Sequence, residues 1–85
     1  MRRIYADFNN SDEQGHVRLS TVGSLKDLHV HQDQLSDGLR VILYMTDEFE
    51  VEGNLVFEKI WLGVPDWDTI RYDDQNESLG GRRMR

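Results

Sequence analysis

Two segments in the middle of the chain alternate apolar and polar side chains with the period of two that a β-strand requires. The first, residues 39–46, places four apolar side chains on one face: Leu39, Val41, Leu43 and Met45. The second, residues 49–57, does the same with Phe49, Val51, Leu55 and Phe57. These patterns predict two central antiparallel strands, with Gly53 on the inward face, where a glycine lets a strand bend sharply.

The length of the loop between these strands follows from the pattern. A loop with an even number of residues would set inward apolar side chains opposite glutamates, so the number must be odd. A three-residue loop, residues 46–48, has no glycine for the left-handed position that such loops favour. We therefore predict a five-residue loop, residues 46–50, which pairs Met45 with Val51 and Val41 with Leu55.

The first third of the chain predicts a hairpin and a helix. Residues 3–8 and 16–21 alternate in the same way and predict two paired strands. Ser24 predicts a helix N-cap, and Asp27, three residues later, suits the first-turn amides. The residues that follow are mediocre helix formers, which predicts a short helix over residues 24–31.

The segment after residue 57 predicts a further strand and a closing one. Residues 60–64 read as a strand that ends at Pro65, because proline cannot donate to a sheet ladder. Asp66 predicts the cap of a short helical turn, and residues 70–72 predict a short final strand.

Together these elements predict a mainly β protein with five to six strands and one short helix at about residues 24–31. We expect a small antiparallel bent sheet or a partly open barrel. SH3-like and OB-like barrels share this size and strand count, but no motif supports the likeness, so it carries no function. The 85 residues allow one core, which predicts a single domain over residues 1–72 and a disordered polar, arginine-rich tail over residues 73–85.

Charge is distributed unevenly along the chain. Residues 4–79 hold all 16 acidic residues and five of the ten basic ones, a formal charge of −11. An acidic body repels phosphate, which makes nucleic acid an unlikely partner of the domain. The arginines after Gly80-Gly81 either belong to a tail without a partner or contact RNA or an acidic protein.

Catalytic and metal-binding chemistry has little support in this sequence. Cysteine is absent, and no serine nucleophile motif, phosphate-binding glycine loop or calcium-loop motif occurs. His29 and His31 could hold a metal with Asp33 only if they lay on a strand, and we interpret them as a solvated helix end. Asp66 and Asp68 are interpreted as solvated acids. We expect no enzyme activity, no cofactor and no metal.

The sequence also bears on location. The apolar runs are too short to span a bilayer, and the acid at Asp7 interrupts any signal-like stretch near the N-terminus. A cytoplasmic protein without membrane contact is the expectation.

The outer side of residues 39–46 is the best candidate for a functional surface. Ile42 and Tyr44 lie there, beside Val56 on the next strand, and Trp67 or Trp61 is close enough in sequence to join them. An exposed apolar and aromatic area of this kind marks a partner site. The alternative is that the helix or the closing segment covers this face as a second core layer. The predicted partner-binding residues are Ile42, Tyr44, Val56 and Trp67.

These observations predict a small, acidic, non-enzymatic protein-interaction module. It binds a protein partner or a second copy of itself through a face or an edge of its β-sheet. The alternative is a small barrel that binds single-stranded RNA by base stacking, aided by the arginine-rich tail.

Overall fold

The computed structural model describes residues 1–72 and shows a mainly β fold, as the sequence predicts. Its strands curl into an open half-barrel with one α-helix. The elements in chain order are β1 (Arg3–Tyr5), β2 (Val17–Arg18), α1 (Val22–Val30), β3 (Arg40–Met45), β4 (Phe49–Glu58), β5 (Ile60–Pro65) and β6 (Arg71–Tyr72). The sheet order is β1-β3-β4-β5-β2, and β6 pairs with β4. The predicted disordered tail lies outside the described residues.

The β3–β4 hairpin has the predicted faces but a shorter loop. Leu43 lies opposite Val51 and Met45 opposite Phe49, which leaves three residues, 46–48, in the loop. The odd number is confirmed, whereas the five-residue loop and its register are wrong. Asp47 takes φ 63° and so supplies the left-handed residue, a conformation that aspartate adopts more readily than most side chains.

The predicted N-terminal hairpin between β1 and β2 is wrong. β1 pairs in parallel with β3, where Ile4 lies opposite Leu43. β2 pairs with β5, where Val17 lies opposite Gly63. An alternating pattern reports which face of a strand is buried, but it does not identify the neighbouring strand. β2 instead bonds to the loop that precedes it, through an isolated bridge between Ser11 and Val17 and a hydrogen bond from the Arg18 amide to the Asn10 carbonyl.

The helix is confirmed, but its cap is Thr21 rather than Ser24. The Thr21 hydroxyl accepts a hydrogen bond from the Ser24 amide, while Ser24 is fully buried and donates its own hydroxyl to the Tyr5 carbonyl. The Asp27 carboxylate accepts the Tyr5 amide hydrogen at 2.8 Å. Two side chains of α1 therefore satisfy the backbone groups of Tyr5 that face away from β3.

The chain after β4 follows the prediction closely. Pairing extends one residue beyond the predicted strand end, since Pro65 is part of β5 and the Asp66 amide donates to the Glu52 carbonyl at 2.8 Å. Asp66 caps the short turn Trp67–Thr69, as expected. The closing strand is present as β6, beside β4.

The core fills the concave side of the half-barrel. Its fully or almost fully buried residues lie in or directly after β1 and β2, in β3 and β4, and in the helix: Ile4, Ala6, Val17, Leu19, Leu28, Val41, Leu43, Val51 and Leu55. Leu28 is the residue through which α1 reaches this core. The helix thus packs along β1, where Leu28 reaches the core and Asp27 reaches Tyr44 on the convex side.

Candidate functional site

The convex side of the sheet, here called the outer face, carries the apolar residues that do not belong to the core. Val56 lies opposite Leu62, and the neighbouring outward positions of β5 are Ile60 and Val64. Val56 and Val64 are half-buried, Ile60 is 39% exposed and Leu62 is 6% exposed. These four residues form the outer apolar patch, which spans β4 and β5.

The structure places Ile42 on the same face but away from Val56. Ile42 lies opposite Glu52, and Val56 is four residues farther along β4, or roughly 13 Å at the usual rise of about 3.3 Å per residue. The shorter β3–β4 loop sets this register. Ile42 is half-buried and borders Arg3 on β1, so it forms a separate apolar position on the outer face.

Tyr44 is also on the outer face, but its side chain is engaged within the molecule. Its hydroxyl donates to the Asp27 carboxylate at 2.9 Å, its ring meets the Tyr5 ring edge-on at 5.7 Å, and the Arg3 guanidinium lies 4.6 Å from its centroid. Burial, and then the hydrogen bond to Asp27, raise the pKa of Tyr44. Tyr44 therefore ties the helix to the sheet.

Charged side chains on the outer face are arranged in opposite-sign groups. Arg40 reaches Glu52 at 3.2 Å and Asp66 at 2.9 Å. Glu50 binds Arg3 at 2.7 Å and also binds Arg71. The hydrogen bond from Arg40 lowers the pKa of Asp66.

The charges of this face balance, although those of the domain do not. The outward positions hold four bases and four acids: Arg3, Arg18, Arg40, Arg71, Glu50, Glu52, Glu58 and Asp66. Residues 1–72 as a whole hold seven bases and 13 acids, a formal charge of −6. The outer face is therefore the neutral side of an acidic domain.

Trp67 lies elsewhere, in a group of rings at one end of the concave side. Its centroid is 5.4 Å from that of Phe8 and 6.0 Å from that of Phe49, and Phe49 lies 6.1 Å from Tyr72. Phe8, Phe49, Trp67 and Tyr72 are called the aromatic cluster below. The other tryptophan, Trp61, contacts Phe57 at 5.0 Å and packs against the core. Neither tryptophan joins Ile42 and Tyr44.

Two features of the outer face and the cluster were missed in the sequence. Leu62 and Val64 alternate with Trp61 and Gly63, so both sides of β5 are apolar, and that pattern could have identified the patch. The aromatic cluster had no such signal, because Phe8 and Phe49 are 41 positions apart and only the fold brings them together.

The histidines that were considered as metal ligands lie at the end of α1. His29 is exposed in the last helical turn, and His31 is the C-cap. In the part of the chain that the structure describes, no group of three or more histidine, cysteine, aspartate or glutamate side chains could hold a metal ion. Among these residues, no helix is both long enough and apolar enough to cross a membrane.

Comparisons with protein-family models, with curated proteins and with solved structures find no match for this chain. Function must therefore be inferred from the surfaces of the molecule itself. The two that stand out are the outer face and the aromatic cluster.

Proposed function

We propose that this domain is a non-enzymatic protein-interaction module that binds through its outer face, and that a second copy of the chain is its partner. The observation that carries the proposal is the outer apolar patch within a charge-balanced surface. Protein interfaces combine an apolar centre with a polar rim in this way. Val56, Val64 and Ile60 supply the accessible apolar surface above the buried Leu62, and the ion pairs of Arg40 and Glu50 lie toward the rim.

A face supports binding better than an edge in this sheet. The outward backbone groups of Tyr5 on β1 are already bonded to Ser24 and Asp27 of the helix. On the other side, the Arg18 amide of β2 donates to the Asn10 carbonyl. Edges covered in this way offer no template for an added strand, so β-augmentation has little support at these two strands.

For a second copy, charge favours the outer face over the rest of the surface. Two molecules with a formal charge of −6 on their described residues repel each other through most of their surfaces. The outer face adds no net charge to the contact, and its alternating bases and acids can complement their own image under a twofold axis. The patch is small, so the cost of association leaves a weak dimer, of micromolar affinity or weaker.

The same charges count against the alternative of RNA binding. The rings that could stack on bases are Phe49 and Trp67, and each has an acidic neighbour in sequence, Glu48 and Asp68 respectively. Negative charge beside a stacking ring opposes the phosphates that accompany each base.

Sedimentation velocity over a range of protein concentrations tests the proposal. The wild-type chain should show a mass that rises from monomer toward dimer. Val56→Glu places a carboxylate at the centre of the patch on both copies and should abolish the rise. Val22→Glu is the matched control, because Val22 is 85% exposed and lies at the start of the helix rather than in the patch, and it should leave the rise unchanged.

Two outcomes would refute the proposal. A wild-type chain that stays monomeric at its highest soluble concentration excludes a second copy as the partner. Loss of dimer in Val22→Glu but not in Val56→Glu moves the interface to the helix. Urea unfolding of each variant confirms that both remain folded.

A further inference from the structure

A cleft of about 560 Å³ opens beside the start of β1 and the end of α1. It is bordered by the short 3₁₀ turn Gln32–Gln34 that follows the helix. Within residues 1–72, its lining holds no acidic side chain, although these residues together carry a formal charge of −6. The residues that line it are Met1, Arg2, Arg3, His31 and Gln34.

The backbone on both sides of the cleft is held by hydrogen bonds. On one side, the Arg2 carbonyl accepts the Ile42 amide hydrogen at 2.8 Å, which extends the pairing of β1 with β3. On the other side, the Gln34 amide donates to the His31 carbonyl at 2.8 Å. The side chains that line the cleft therefore project from fixed positions.

Arg2 differs from the other basic residues of the domain. Its Nε–H group donates to the side-chain oxygen of Gln34, a neutral partner. Within residues 1–72, no carboxylate lies within ion-pair distance of its guanidinium. Three other bases of this region also lack an ion pair, but they are exposed whereas Arg2 is half-buried: Arg18, Lys26 and Lys59. Arg2 is thus a half-buried cation without the counter-charge that usually accompanies one.

The cleft offers several hydrogen-bond donors. Because Nε of Arg2 is committed to Gln34, the terminal nitrogens of its guanidinium are left for a ligand. The Gln34 oxygen accepts from Arg2, so the nitrogen of the same amide remains as a donor. The half-buried imidazole of His31 adds at least one N–H group. Arg3 is not counted, because its guanidinium pairs with Glu50 at 2.7 Å.

The end of α1 opposes an anion, but more weakly than Arg2 attracts one. The C-terminus of a helix carries roughly half of a negative elementary charge, whereas the guanidinium carries a full positive one. Part of that helix end is also satisfied within the chain, since the Asp27 carbonyl accepts the His31 amide hydrogen at 3.2 Å. The balance of charge at the cleft therefore favours an anion.

We propose that this cleft binds phosphate, free or as the phosphate group of a small ligand, with Arg2 as the main contact and His31 and Gln34 as further donors. A planar guanidinium matches two phosphate oxygens at once, and the remaining oxygens can accept from the other side chains. A phosphate monoester at neutral pH also carries about −1.5 to −2 charges, more than a carboxylate. Phosphate therefore uses the donors of the cleft more fully than a carboxylate does.

The size of the cleft suits a small ligand. Sites for small molecules typically enclose about 300–1,000 Å³, and this cleft falls in that range. A small ligand contacts the cleft alone, whereas a nucleic acid would also extend across the acidic remainder of the domain. The proposal does not depend on the dimer, because no residue of the outer apolar patch lines the cleft.

Titration of the full chain with inorganic phosphate, followed by ¹H–¹⁵N NMR, tests the proposal. Sodium chloride at equal ionic strength is the reference. The amide signals of Arg2, His31 and Gln34 should shift together and saturate, with a dissociation constant on the order of millimolar for one charge-assisted contact and a few neutral ones. Signals that respond no more to phosphate than to chloride would overturn the proposal.

Gln34→Glu is the most informative variant. It keeps the size of the side chain and its contact with Arg2, but it supplies the carboxylate that Arg2 lacks. Phosphate should therefore bind at least about tenfold more weakly. Gln32→Glu is its control, because it adds the same charge to the same turn at an exposed residue outside the lining. It should weaken binding by less than about twofold, and equal weakening by both variants would refute a site at Gln34.

Two further variants test the role of the guanidinium. Arg2→Lys keeps the positive charge but not the planar pair of donors, so phosphate should bind about threefold more weakly or worse. Lys26→Gln removes a charge from an exposed helical position outside the lining and should leave the affinity unchanged. An affinity that falls more in Lys26→Gln than in Arg2→Lys would contradict the assignment of Arg2.

Two other probes identify the source of the phosphate. Phenyl phosphate should bind more tightly than inorganic phosphate if the cleft holds a phosphorylated organic ligand, and equally if it holds the free anion. Acetate should bind more weakly than either, and equal binding of acetate would overturn the preference for phosphate. Urea unfolding midpoints that agree among the variants show that the affinities report the cleft rather than a loss of fold.

Discussion

Leu43 occupies the space that two glycines leave on the concave side. A Cβ atom at Gly63 on β5 would meet only the ends of the Leu43 side chain, at 2.9 and 3.0 Å. A Cβ atom at Gly53 on β4 would meet the same side chain at 2.9 Å, but also the Val64 carbonyl oxygen at 2.6 Å. The two glycines therefore face obstacles of different kinds, one a side chain and the other a backbone.

This difference predicts unequal costs for the same substitution. Gly63→Ala should lower the free energy of unfolding by about 1 kcal/mol, because the fully buried Leu43 must shift within a packed core. Gly53→Ala should cost about 3 kcal/mol, the upper end of overpacking, because β4 and β5 must move apart.

Leu43→Val supplies the decisive background. It removes both terminal methyl groups that a Cβ atom at Gly63 would meet, one of which a Cβ atom at Gly53 would also meet, at a cost of about 1 kcal/mol for the lost methylene. In that background Gly63→Ala should become neutral or slightly stabilising, a coupling of about 1 kcal/mol between sites in contact. Gly53→Ala should still cost at least about 2 kcal/mol, since the Val64 carbonyl has not moved.

Urea unfolding followed by tryptophan fluorescence measures each value in a double-mutant cycle. The reasoning fails if Leu43→Val rescues Gly53→Ala as fully as it rescues Gly63→Ala. It also fails if Gly63→Ala lowers the free energy of unfolding more than Gly53→Ala, because moving the Leu43 side chain would then cost more than moving the backbone of β5.

Three further predictions concern single residues. Burial and the hydrogen bond to Asp27 raise the pKa of Tyr44 above its usual 10.0. The free energy of unfolding should therefore fall as the pH rises above 10.0 and through the pKa of the folded state. Urea titrations at stepped pH should show a smaller fall for Tyr44→Phe. The hydrogen bond from Arg3 lowers the pKa of Glu50 below its usual 4.5; its contribution is present above pH 4.5 and lost as the pH falls through the folded pKa, so Glu50→Gln should lose less stability than the wild type over that range. Lys59 has φ 68°, a conformation that costs less for glycine than for a residue with a Cβ atom. Lys59→Gly should therefore raise the free energy of unfolding, measured by calorimetry, by about 0.5–1 kcal/mol. Lys59→Ala, which keeps the Cβ atom, should give no such gain.

Local pattern predicted the elements of this fold better than their partners. The alternation in residues 39–57 assigned the inward faces of β3 and β4, because a side chain's direction follows from its own position. Phe57, at the end of the predicted face, is the exception, since it is 53% exposed. The β3–β4 loop was predicted too long because glycine was assumed necessary at the left-handed position, and Asp47 fills it instead. The cap was predicted at Ser24, but the Ser24 hydroxyl bonds the Tyr5 carbonyl and Thr21 caps the helix.

The surfaces were harder to predict than the strands. Ile42 and Val56 were placed side by side, but a shift of two residues in the hairpin register separates them. The parallel pairing of β1 with β3 decides that Phe8 reaches Phe49. Contacts between residues so far apart in sequence depend on the whole topology, which a local pattern of side chains does not predict.

The parallel pairing of β1 also sets an order of assembly. Strand β1 pairs with residues 42–44, which are distant in sequence. In contrast, three residues connect β3 to β4, and Lys59 alone connects β4 to β5. The loop-closure entropy of the short connections is small, so the three-stranded meander should form first and β1 should join late. During synthesis, about forty residues must be added after Ile4 before its partner on β3 is made. The apolar segment around Ile4 therefore stays exposed on the ribosome-bound chain until then.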